Sequence, residues 1–227
     1  HEFGGTGATV ESIAVVPSGD HDDVYLVVKR TINAATKRYI ERIEVDFDTN
    51  TGLVAKDMFF VDSGLTYTGA PVTNVSGLGH LEQETVQVLA DGKYVGTRLV
   101  DGGSLDAVLP FAATTVHVGI ACPCTLGTLD LEGGSQAGSS QGKRKRITEI
   151  SVRVKDSLPF KHGFDESHYV EIETDNFGDI DPTTKVRNGD VRFSFDGNYE
   201  DSRYFIRQDE PVNLSIISLM PIMNTYE

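Results

Sequence analysis

The chain has 227 residues, of which 39% are hydrophobic and 24% charged, and its formal net charge is −14. It is long enough for one or two domains with a hydrophobic core, and too acidic to hold nucleic acid by neutralising phosphates, which requires a basic surface. No apolar run reaches the roughly 18 residues of a membrane helix, so no membrane insertion is expected.

The sequence starts at His1 with no secretory signal pattern, and is expected to be a piece of a longer polypeptide. Short strands then recur with Gly, Asn and Asp punctuation, and no sustained helical periodicity interrupts them. This predicts an all-β fold of several small antiparallel modules. Residues 1–62 read as a propeller-blade-like meander. Its strands are Thr9–Val16, Asp23–Lys29 and Lys37–Phe47, with turns at Pro17–Asp20 and Ile32–Ala35.

Residues 63–121 read as a small β-barrel-like module. Met58–Val61 are expected to form a short buried strand. Gly64, Gly69, Pro71, Asn74, Gly77 and Gly79 are then expected to form a loop. The alternation of Val86 and Val88 with Thr85 and Gln87 predicts a half-buried strand. Asp91-Gly92 and Asp101-Gly102-Gly103 predict tight turns, because Gly tolerates positive φ. Thr115–Ile120 supplies a further strand.

Residues 122–146 read as a linker containing the Gly/Ser/Gln-rich stretch 133–142 and the basic run Lys143–Arg146. Residues 147–227 read as an antiparallel sheet or sandwich with strands at Ile147–Lys155, Tyr169–Thr174, Val191–Phe195, Tyr204–Arg207 and Val212–Met220. Charge is uneven here. Residues 133–155 hold six basic residues against one acidic, and 156–227 hold six against fifteen.

The motifs offer few candidate sites. Asp46, Asp48, Asn50 and Asp57 place oxygen ligands at spacings that suit Ca²⁺. However, Gly52 sits one place late for an EF-hand loop, and Asp and Asn favour turns for backbone reasons alone. The turn is the first reading and the metal loop the alternative. His80, Glu82 and Glu84 alternate as if on one strand face and could form a metal or acid/base cluster. The basic run reads as a solvated strand entrance, with a subunit contact or a nucleic-acid patch as alternatives. Cys122 and Cys124 are expected to be two reduced thiols, because a bridge across so short a ring would be strained. No nucleophile elbow, phosphate loop or dinucleotide fingerprint appears. Carboxylates are plentiful, yet no spacing singles out a glycosidase pair. No cofactor is expected, and the chain is not expected to be an enzyme.

Several stretches, in order through nearly the whole chain, carry a family resemblance. They are GGTGATVESIAVVP (4–17), DVYLVVKRTINAATKRYIERIEVDF (23–47), FFVDSGLTYTGAPVTNVSGLGHLE (59–82), VQVLADGKYV (86–95), VHVGIA (116–121), QGKRKRITEISVRV (141–154) and IRQDEPVNLSIISLMP (206–221). Together they resemble the C-terminal region of the tail nozzle, or tail tubular protein B-like, family of short-tailed bacteriophages. The resemblance implies a structural virion protein located in the tail and assembled in the host cytoplasm. It further implies a hexameric ring, contacts with other tail proteins, and transient passage of DNA without specific binding. An acidic wall would repel passing phosphates, and Asp175, Asp179 and Asp181 are the expected channel-facing residues. The alternative is a carbohydrate- or receptor-binding β-module, for which Tyr67, Tyr94, Tyr199 and Tyr204 would be exposed aromatics. A third reading is a hydrolase of cell-wall polymer.

Overall fold

Strands with two faces and tight turns dominate the computed structural model, which describes residues 3–19, 21–44, 46–132, 143–172, 186–195 and 203–226. The fold is all-β, built of several antiparallel sheets, one of them curled into a half-barrel. Backbone packing separates two compact units. The first comprises the described residues up to Cys122 together with Glu210–Val212, and the second comprises the rest.

The first unit opens with a three-stranded meander of β1 (Thr9–Ser18), β2 (His21–Ile32) and β3 (Ala35–Arg42), ordered β1-β2-β3. The third strand stops five residues short of the predicted Phe47, which is buried in the segment that follows. Leu26, Val28, Arg30 and Ile32 alternate as the buried face of β2. The buried Arg30 pairs with Glu41 on β3 through Nη1 and with Gly4, whose carbonyl accepts from Nε at 2.8 Å, while its Nη2 is buried without a hydrogen-bond partner among the described residues. A buried guanidinium needs such a partner, because an unpaired charge in the interior costs several kcal/mol.

A five-stranded sheet follows, made of β4 (Val61–Val72), β5 (Thr85–Ala90), β6 (Lys93–Asp101), β7 (Ser104–Leu105) and β8 (Ala113–Ala121), in the order β4-β8-β5-β6-β7. The expected loop at Gly64, Gly69 and Pro71 is in fact the body of β4, which begins where the predicted strand was to end. The reason lies in the pairing with β8. Register shifts between Asp62 and Leu65, and between Thr68 and Val72, give the glycines and Pro71 bulge positions. A Cβ on Gly119 would meet the Cα of Gly64 at 2.8 Å. The backbones therefore approach more closely than side chains would allow.

Val86, Val88, Ala90, Val116, Val118 and Ile120 fill the core on one face of this sheet together with Leu78, Leu81 and Val100. Each aliphatic side chain so buried contributes about 1.5–3 kcal/mol. The β5 strand is not half-buried as its alternation predicts. Gln87 is buried as well, because the strand is central and both of its faces are covered. The Asp91-Gly92 and Gly102-Gly103 turns form as expected, all four residues at positive φ.

In the second unit, β10 (Arg144–Ser157), β13 (Arg187–Ser194) and β15 (Ser215–Tyr226) form a sheet ordered β13-β10-β15. A second sheet has the order β12-β11-β14-β9, from β9 (Cys124–Gly127), β11 (Lys161–Gly163), β12 (Val170–Glu171) and β14 (Phe205–Gln208). The predicted alternation holds in β10, where Ile150, Val152 and Val154 are buried with Val191, Phe193 and Ile206. The basic run lies at the entrance of β10, where Lys143 and Arg144 are exposed but Lys145 is buried. Arg144, Lys145 and Arg146 pair with Tyr226, Thr225 and Asn224, and the buried Lys145 donates to the Leu131 carbonyl at 3.0 Å. The stretch 133–142 lies outside the described residues.

Candidate functional site

A cleft of about 260 Å³ opens in the first unit, beneath the segment that joins β3 to β4. One wall is the face of β4 and β8 on which Thr66 pairs with His117 and Thr68 with Thr115. The covering segment contributes Phe47, Leu53, Phe59 and Phe60, with Glu44, Lys56 and Asp57 completing the lining. Strand alternation puts the hydroxyls and His117 on one face.

His117 is buried and fully satisfied. Its Nε2 lies 2.7 Å from the Lys56 carbonyl and its Nδ1 2.8 Å from Thr66 Oγ1. A carbonyl only accepts, so Nε2 carries the proton and Nδ1 accepts from the threonine hydroxyl. Phe59 packs edge-on against the ring, with centroids 5.4 Å apart. Burial holds the imidazole below its usual range despite the Lys56 carbonyl and nearby Asp57, which act the other way. Both nitrogens are committed, so this histidine anchors the covering segment rather than moving protons.

The suspected Ca²⁺ loop is not brought together as one cluster. Asp48 caps the turn Thr49–Thr51 by accepting from the Asn50 N–H at 2.8 Å, and Gly52 closes the turn at φ 88°. Asp57 faces elsewhere, accepting from the Val54 N–H at 3.0 Å and from Lys56 Nζ at 2.5 Å. Burial pushes its carboxyl up, but these bonds outweigh burial and hold it below the usual range. Asp46 is exposed. Among the described residues no three His, Cys, Asp or Glu side chains converge on a metal position.

His80, Glu82 and Glu84 do not share a strand face, because Gly79–Leu81 form a 3-10 turn. His80 Nε2 bonds the Ser63 carbonyl at 3.0 Å, and Tyr39 donates to the His80 carbonyl at 3.0 Å. Glu82 accepts from the N–H groups of Gly102 and Gly103 at 2.9 and 2.8 Å, which holds its carboxyl below the usual range. Asp91 plays the same part at its own turn. It accepts from the Thr115 and Thr114 N–H groups, and these outweigh the burial that would raise it.

The second unit contains a cluster that motif reading missed. His162 lies against Phe193 with ring centroids 4.1 Å apart, and Phe195 and Tyr204 flank it, each at 5.8 Å. Burial lowers its pKa to about 4 and pushes the Tyr204 hydroxyl far up. His162 Nδ1 and Tyr204 Oη are buried without a hydrogen-bond partner among the described residues. Tyr204 is therefore not the exposed aromatic expected, because it fills the core. Tyr67 lies in β4 and Tyr94 in β6, rather than in loops. Tyr199 and the channel candidates Asp175, Asp179 and Asp181 lie outside the described residues. Cys122 and Cys124 are not joined in a disulfide, and the second is exposed.

No protein-family model matches the chain, and no curated protein matches it.

Proposed function

We propose that this chain is a structural part of a bacteriophage tail tube or nozzle, a component of a DNA-ejection channel without turnover of its own. The observation that carries this reading is how its polar groups are used. Asp48, Asp57, Glu82 and Asp91 all accept from backbone N–H groups at turns, and His80 and His117 each bond a backbone carbonyl. Side chains committed to holding loops make a rigid scaffold. A general acid or base needs a free nitrogen or oxygen within reach of its substrate. The ordered resemblance to the tail nozzle family and the net charge of −14 support the same reading.

The test is to recover purified particles and the intact protein. The chain should be found in virions and should form a ring with its tail partner. A monomer missing from virions would overturn the proposal. Replacing Asp175, Asp179 and Asp181 by Lys should slow DNA ejection at low salt and leave assembly intact, because new cations hold passing phosphates in a salt-dependent way. Unchanged ejection kinetics would remove the electrostatic part.

The cleft supports a second reading, a carbohydrate- or receptor-binding module. Its half-buried Phe59 and Phe60 beside the exposed Thr68 combine an apolar wall with a hydroxyl, the mixture small-ligand sites use. Binding on a glycan array that is lost in a Phe60→Ala variant would favour this reading over the first.

A further inference from the structure

The β1-β2-β3 meander departs furthest from what a soluble surface should be. All of β1 from Thr9 to Pro17 is exposed, and Ile13 and Val15 keep 64% and 58% of their surface. At the opposite end of the same sheet, Ile40 on β3 is 76% exposed. Both strands are edges, because only β2 lies between them. An edge strand leaves a row of N–H and C=O groups unpaired, and proteins usually blunt it with charges, bulges or proline. Here those devices are confined to the ends of β1. A bulge falls between Val10 and Ser12, and Pro17 closes the strand. Ser12–Val16 are uncharged, and the strand's one charge, Glu11, is held inside its own sheet by Arg38 at 2.7 Å.

We infer that this sheet is a seam between copies of the chain, with the free edge of β1 in one copy pairing with the free edge of β3 in the next. The inference rests on the assembling tail reading above and names the surface through which assembly occurs. The occupant follows from the two edges. Pairing β3 with β3 would set together two strands that each carry Lys37, Arg38 and Arg42 against Glu41 alone, and like charge balances opposite one another are unfavourable. Pairing β1 with β1 would leave Ile40 and both β3 edges bare. The head-to-tail arrangement covers both edges through one seam, setting β1, whose one charge is the acidic Glu11, beside the basic β3. A head-to-tail contact closes into a ring when the rotation allows it. Closure also removes every edge from the sheet.

Cysteine scanning of the 227-residue chain tests this. In a background with Cys122→Ser and Cys124→Ser, Ile40→Cys is combined in turn with Ser12→Cys, Ala14→Cys and Val16→Cys. The pairing register puts these β1 positions on the same face of the sheet as Ile40. At least one double variant should give an oxidised ladder of oligomers, and neither parent single variant should. A dimer from the β1 variants alone would overturn the head-to-tail arrangement in favour of β1 with β1. A chain that is monomeric at high concentration and forms no ladder in any pair would overturn the seam altogether. Val15→Lys, at an exposed position, should leave the circular dichroism spectrum unchanged and weaken association on the order of ten-fold or more. Unaltered association would count against the seam. The two proposals fail separately. A virion ring whose cross-links run elsewhere defeats the seam and spares the tail reading. Cross-linked rings of a protein missing from virions do the reverse.

Discussion

Each unit buries a histidine on a strand, and the two are accommodated in opposite ways. In the first, His117 gives one nitrogen to the Lys56 carbonyl and receives the Thr66 hydroxyl on the other, so its burial is offset by two hydrogen bonds. In the second, His162 is surrounded by Phe193, Phe195 and Tyr204, and its Nδ1 has no partner among the described residues. The comparison teaches that burial alone does not set a polar group's cost. An imidazole with both bonds made ties distant segments together, whereas one packed among rings with a buried nitrogen left unpartnered depends on remaining neutral.

The largest expected effect of this difference is on acid stability. Folded His162 resists protonation until pH falls to about 4, whereas an unfolded histidine takes its proton near pH 6.5. Protonation between those values favours the unfolded chain. The His162 contribution is therefore complete above about pH 6.5, is lost as pH falls to about 4, and declines no further below that. The shift corresponds to about 3 kcal/mol. Amide exchange along β10 should accelerate across this window, and His162→Phe should flatten the dependence. A His162 imidazole seen by NMR to titrate near its ordinary value would erase the contrast.

A smaller effect is expected from Thr66→Val, which keeps the shape of the side chain but leaves His117 Nδ1 without its donor. The first unit should lose about 1–3 kcal/mol, the cost of an unsatisfied buried acceptor, read as faster exchange along β8. No change would mean that the Thr66 bond does not hold the covering segment. The smallest effect is expected from Tyr204→Phe. The variant deletes a buried hydroxyl with no partner among the described residues, so stability should stay level or rise by up to about 1 kcal/mol. A marked loss in denaturant unfolding would reveal a partner for that hydroxyl and bring the two units closer in kind.

Much of the fold could be read from local pattern. Alternation in Ile150–Val154, the aliphatic run of β2 and the Asp-Gly turns are local signals, and each appears where expected. The β4 strand was hidden, because Gly64, Gly69 and Pro71 are loop signals unless a partner strand supplies bulges for them. The His80–Glu84 alternation misled for the complementary reason. Period two over five residues is too short to distinguish a strand from a turn whose carboxylate reaches across to Gly102 and Gly103.

The candidate site was less legible. Asp48 and Asp57 were visible as turn formers, which is what they are, but nothing in the spacing of Thr66 and His117 announces their bond. Those residues are 51 positions apart in the chain. The same holds for His162, Phe193 and Tyr204, which are scattered along the chain and gathered in one core.

By itself, the sequence determined the all-β class, the hairpin turns and the strongly acidic balance, because strand periodicity, positive-φ turns and formal charge depend on neighbours or on simple counts. Tertiary structure alone decided which strands became central, which glycines could serve within a strand, and which histidine was satisfied. It also left β1 and β3 as bare edges. These outcomes depend on which distant backbone lies within reach, and residue order does not carry that information until the strands have paired.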